Sequence, residues 1–119
     1  MRLIRTLVAL SLILLCSPAF ALDCSGTITS GGTAQTIFSS NTTRRVMLMN
    51  NSANLMCVSF TGGSPASIAG TNCAAGSYML QPGSTTLAGG SYTNPPDIAV
   101  NTVSIISSGT GDRYSCERQ

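Results

Sequence analysis

The sequence predicts an all-β fold, a small antiparallel β-sandwich or barrel closed by two disulfides. Three observations point there. Short β-branched runs alternate with clusters of Gly, Ser, Thr, Asn and Pro, the punctuation of strands and tight turns. No stretch beyond the first residues carries a sustained helical period, which needs a window of about 11 residues or more. Four cysteines beyond an N-terminal leader form an even set in a chain too short for a large core, the composition of an exported disulfide-bonded domain.

The leader is read from its layout. Arg2 and Arg5 precede an apolar run over residues 7–15, followed by Ser17, Pro18 and the small-x-small triplet Ala19, Phe20, Ala21. This is the three-part pattern of a secretory signal peptide cut after Ala21. Residues 1–21 are therefore expected to be a signal peptide and 22–119 a single β-domain, exported to the periplasm or secreted. The apolar run is too short for a membrane span, which takes about 20 residues. A lipid anchor would fall on Cys16, but the bulky Leu15 precedes it where lipoprotein processing wants a small residue.

Beyond the leader, Arg44, Arg45, Arg113 and Arg118 face Asp23, Asp97, Asp112 and Glu117, so the formal charge balances. No basic footprint for nucleic acid remains. The adjacent Arg44 and Arg45 read as the solvated start of a strand, too little charge to steer an anionic ligand. Cys24, Cys57, Cys73 and Cys116 contain no C-x-x-C spacing, and the chain has no His, so no metal site is expected. The favoured pairing joins Cys24 to Cys116 at the two ends of the domain and Cys57 to Cys73 around a Gly/Ser-rich loop. Pairing of Cys24 with Cys57, the first two of the four along the domain, stays open.

In chain order the strand candidates are residues 25–30 (SGTITS), 34–40 (AQTIFSS), 44–50 (RRVMLMN), 56–60 (MCVSF), 77–81 (SYMLQ), 84–88 (STTLA), 98–107 (IAVNTVSIIS) and 113–117 (RYSCE). The run at 46–49 is apolar at every position and predicts a central strand covered on both faces. In MCVSF, Met56, Val58 and Phe60 share the core face and Cys57 and Ser59 the other. NNSAN (50–54) is expected to close a hairpin between these two runs. Residues 61–76 form a longer polar loop that Cys73 staples back to Cys57. QPGS (81–84) predicts a type II turn, with Gly83 at the position of positive φ, joining the 77–81 and 84–88 runs. NPP (94–96) cannot continue a central ladder.

The order of RRVMLMNNSA, a strand ending in VSFTG, AAGSYMLQPGSTT, a Pro-containing loop before IAVNTVSIIS, and a short last strand ending in Glu resembles the small all-β virion proteins of tailed phages. The resemblance covers roughly residues 35–118 and rests on turn chemistry and alternation. It implies a compact sandwich or barrel used as a surface, head or tail accessory part. The signal peptide and the four cysteines depart from that pattern.

Chemistry is constrained by what is missing. Without His, no Ser-His-Asp or Cys-His arrangement exists, and without Lys no Ser-Lys pair. A carboxylate-only glycosidase would need two converging acids. Asp112 and Glu117 are nearest in sequence, yet an odd spacing along a strand sends them to opposite faces. SGTGD (108–112) has neither the Lys nor the helix of a phosphate loop and reads as a hairpin turn. Neither catalytic residues nor a cofactor are expected.

Among the aromatics, Phe38 and Phe60 read as core, while Tyr92 sits in the Gly-flanked stretch AGGSYTNPP as a candidate ligand contact. NTT (41–43) and NNS (50–52) are sequons, meaningful only in a glycosylating source. The expected function is an exported, non-enzymatic structural or interaction module. Its partner would be a protein or surface, or a second copy met through an open edge strand. The alternative is a small-ligand or carbohydrate-binding domain using Tyr92 and the 62–73 region as its rim.

Overall fold

A computed structural model describes residues 22–39, 45–60, 66–84, 87, 89–93 and 102–119. The signal peptide, Arg44, the NTT sequon, NPP with Asp97, and the start of the 98–107 run lie outside the described residues. The described chain is all strand and turn: β1 (Leu22–Asp23), β2 (Gly26–Thr27), β3 (Gln35–Phe38), β4 (Val46–Asn50), β5 (Met56–Ser59), β6 (Ile68–Ala69), β7 (Asn72–Cys73), β8 (Tyr78–Leu80), β9 (Ser91–Thr93), β10 (Val103–Ser107) and β11 (Arg113–Arg118).

These make a sandwich. One sheet runs β1-β11-β4-β9, with β2 also on β11; the other runs β3-β10-β5-β8, and β6 and β7 form a small separate hairpin. Every pairing is antiparallel. The core lies between the two large sheets, where Ile28, Val46, Leu48, Tyr114 and Cys116 meet Met56, Val58, Leu80, Val103 and Ile105. Period-two alternation puts them there: along β4 the inward Val46 and Leu48 are fully buried, while Met47 between them is 41% exposed.

That alternation corrects one expectation. β4 is central in its sheet, but only one of its faces is covered. The doubly covered strands are β5 and β10, buried at every residue. Their second face carries a smaller cluster of Cys57, Ala66 and Ile106, with Ile68 and Cys73 of the β6–β7 hairpin packed on it. The apolar string VMLM misleads because Met47 and Met49 are flexible thioethers, tolerated on an outer face. Met56 and Val58 point into the core with Phe60 packed beside them, as their spacing predicts.

The turns differ from expectation in a consistent way: they change sheet instead of closing hairpins. β4 and β5 belong to different sheets, so residues 50–54 turn a corner. Asn50 makes it. Its buried side chain donates to the carbonyls of Asn54 (2.8 Å) and Leu80 (3.1 Å) and accepts from the Ser52 N–H (2.9 Å). The 108–112 turn likewise carries β10 of one sheet into β11 of the other, with Gly111 at φ 86°.

β8 and β9 likewise belong to different sheets. Gly83 is not among the glycines of positive φ, so QPGS is not the expected type II turn. Its N–H instead reaches the Ser52 carbonyl at 2.7 Å. Of the 84–88 candidate, Ser84 and Leu87 are described and neither is in a strand; the Ser84 N–H bonds the Leu87 carbonyl at 2.8 Å. The strand comes later, at β9.

Both disulfides follow the favoured pairing. Cys24–Cys116 spans 4.7 Å between Cα atoms and Cys57–Cys73 spans 5.6 Å. The rival Cys24–Cys57 is ruled out by topology, since Cys24 lies beside β11 and Cys57 in the opposite sheet. The first bridge acts within one sheet, and the second ties β5 to the small hairpin.

Candidate functional site

At the edge where β8 and β9 face each other, three rings close the gap between the sheets. Tyr78 pairs with Val58 on β5 and Tyr92 with Leu48 on β4, so both inherit inward positions from core residues. Phe60 continues the inward face just past β5. The Tyr78 and Tyr92 rings stack at 4.3 Å with 27° between planes, and Phe60 lies 5.1 Å from Tyr92 and 5.9 Å from Tyr78. Burial raises the Tyr92 hydroxyl above its usual pKa, and its hydrogen bond to Tyr78 raises it further by favouring the neutral form. Tyr92 is half-buried, whereas Tyr78 remains 45% exposed.

The expected ligand contact thus sits in a short edge strand and packs against the core. The flanking Gly89 and Gly90 and the following Asn-Pro hid that strand in the sequence. Tyr78 supplies the more accessible ring, and its place in an alternating run gave no signal of exposure. Of the expected second half of the rim, the described part packs elsewhere. Thr61 to Pro65 lie outside the described residues, and Ala66 to Cys73 pack on the opposite face of the β5 sheet.

Asp112 and Glu117 do not converge as a catalytic pair either. Asp112 is held in its turn, accepting from Asn54 Nδ2 at 3.1 Å and from the Ser107 hydroxyl. Glu117 stands on the outer face of β11 beside Asp23, its antiparallel neighbour on β1. A shallow groove of about 420 Å³ runs there, lined by Asp23, Ser25, Met47, Met49, Ser115 and Glu117. The Ser25 hydroxyl and backbone N–H hold the Asp23 carboxyl below its usual range. That stabilises a charged carboxylate and gives no acid poised to release a proton near neutrality. Among the described residues no group of three or more His, Cys, Asp or Glu side chains is placed to hold a metal ion.

No protein-family model and no curated protein matches the chain. One solved structure is similar, described as "Bacillus endospore appendages form a novel family of disulfide-linked pili", with 17% identity over 83% of this chain and 81% of the other and a TM-score of 0.47. The likeness is to an appendage protein and not to a phage virion protein, and at this level it carries no inference about function. Among the described residues no helix is long and apolar enough to cross a membrane.

Proposed function

We infer that the chain is an exported, non-enzymatic β-module with a structural or interaction role, met by a second copy or a surface partner along a sheet edge. Residues 1–21 are its signal peptide, and the two disulfides suit an oxidising compartment, periplasmic or extracellular. The observation that carries the reading is the chemistry of the edges. Among the described residues β3, β8 and β9 end their sheets, and none of the three has a charged or proline residue. Natural proteins use such residues to block strand addition. Among the described residues, shortness and a register shift between β3 and β10 are what restrain it.

The test is mass measurement over a range of concentrations, with capture from the exported fraction. Thr36→Lys on β3 and Thr93→Lys on β9 place a charge on exposed edge positions. Concentration-dependent assembly, or a captured partner, weakened by either substitution is the expected result. A chain that stays monomeric throughout and captures nothing overturns the reading.

A second reading, a small-ligand or carbohydrate-binding domain, is favoured by the exposed ring of Tyr78 stacked on Tyr92. Glycan-array binding lost in both Tyr78→Ala and Tyr92→Ala would establish it. A flat array with the folded protein removes it.

A further inference from the structure

Neither disulfide joins the two large sheets. Cys24–Cys116 lies within the β1-β11-β4-β9 sheet, and Cys57–Cys73 joins β5 to β7. Across the β8–β9 rim the sheets meet instead through Tyr78 and Tyr92, one from each. We propose that this pair is a built-in oxidative modification site, at which a peroxidase-type oxidant couples Tyr78 to Tyr92 as an intramolecular dityrosine that ties one sheet to the other.

The geometry favours this pair over any other coupling. The rings stack with centroids 4.3 Å apart and 27° between their planes, which brings the carbons of one ring against those of the other. Tyr78, at the surface, is open to the oxidant. The third ring of the cluster is Phe60, which has no phenol to oxidise. The chain contains no Trp to divert the radical, and its remaining tyrosine, Tyr114, is buried in the core elsewhere. The four cysteines of the described domain are committed to disulfides.

The step balances. Each phenol gives up one electron and its hydroxyl proton, leaving two phenoxyl radicals. They join through a new carbon–carbon bond between the ring carbons ortho to oxygen. The two hydrogens on those carbons then return to the oxygens as both rings regain aromaticity. The product is lighter by two hydrogen atoms, and one hydrogen peroxide, acting through a haem peroxidase, is reduced to two waters.

The experiment treats the dilute exported protein, both disulfides intact, with a haem peroxidase and hydrogen peroxide, and free tyrosine in a parallel tube as control. The expected product is a single chain with dityrosine fluorescence and a mass lower by two hydrogens. Digestion with a protease that cuts between residues 80 and 91 should then give one linked peptide pair carrying Tyr78 and Tyr92. Tyr78→Phe and Tyr92→Phe keep the stacked rings and should each lower the yield at least tenfold. Links only between chains, links through Tyr114, or no dityrosine while free tyrosine couples would each overturn the proposal.

Discussion

The guanidinium of Arg118 lies over the ring of Phe38, 5.4 Å from its centroid. Arg118 ends β11 in one sheet and Phe38 ends β3 in the other, so the contact spans the rim opposite the Tyr78–Tyr92 stack. A cation–π contact contributes roughly 0.5–2 kcal/mol depending on its desolvation. Against it, Arg118 Nε is buried without a hydrogen-bond partner among the described residues, a cost of similar size. Arg118→Met keeps the apolar stem over Phe38 and removes the unpaired N–H. Urea unfolding should therefore show a change of no more than about 1 kcal/mol, whereas Phe38→Ala, which strips the ring from both Arg118 and the core edge, should cost about 3 kcal/mol.

Asn50 has no such slack. Its amide satisfies two buried-side carbonyls and one N–H at the corner where the chain changes sheet. Asn50→Ala leaves those groups unpaired, at about 1–3 kcal/mol each where water cannot replace the amide. A loss of about 3 kcal/mol or more in chemical denaturation is expected. Asn50→Asp should be nearly as costly, because a carboxylate cannot donate to the Leu80 and Asn54 carbonyls. The same burial means the NNS sequon cannot carry a glycan in the folded chain.

These two sites show how far the sequence could be read. Period-two alternation in MCVSF placed Met56, Val58 and Phe60 correctly, and the ends-plus-loop logic of the cysteines gave both bridges. Local pattern could not say which sheet a strand joins. NNSAN, QPGS and SGTGD carry the residues of tight turns, but QPGS does not form one, and what decides hairpin or corner lies in long-range contacts such as Asn50 to Leu80. The aromatic cluster was half legible for the same reason. Tyr92 was visible as an aromatic among glycines, yet its partner Tyr78 stands 14 positions away in sequence and meets it only because β8 and β9 end their sheets on the same side.

Reduction separates the two bridges. In the chain-entropy model, closing a loop of about 15 residues is worth roughly 3 kcal/mol and one near 100 residues roughly 4.7 kcal/mol. The sequence separations here are 16 for Cys57–Cys73 and 92 for Cys24–Cys116. Paired Cys57→Ser, Cys73→Ser substitution should lower the thermal midpoint, and paired Cys24→Ser, Cys116→Ser should lower it further. Calorimetry of both variants checks the order. A melting curve unchanged by dithiothreitol, once thiol labelling confirms full reduction, would contradict both expectations.

Alkaline pH tests the tyrosine rim without any oxidant. The folded pKa of Tyr92 is raised above 10.0 by burial first and by its bond to Tyr78 second. Between the unfolded and folded pKa values the unfolded chain has released its proton and the folded chain has not, so rising pH favours unfolding. The contribution is therefore whole below the unfolded value near 10 and is lost as pH rises through the folded one. Tyr92→Phe removes the ionisation together with its hydrogen bond, which is worth about 1 kcal/mol. The variant should be slightly less stable than wild type at pH 8, and its stability should then fall less steeply between pH 9 and 11. Parallel curves across that range would show that the Tyr92 proton is not held by the rim.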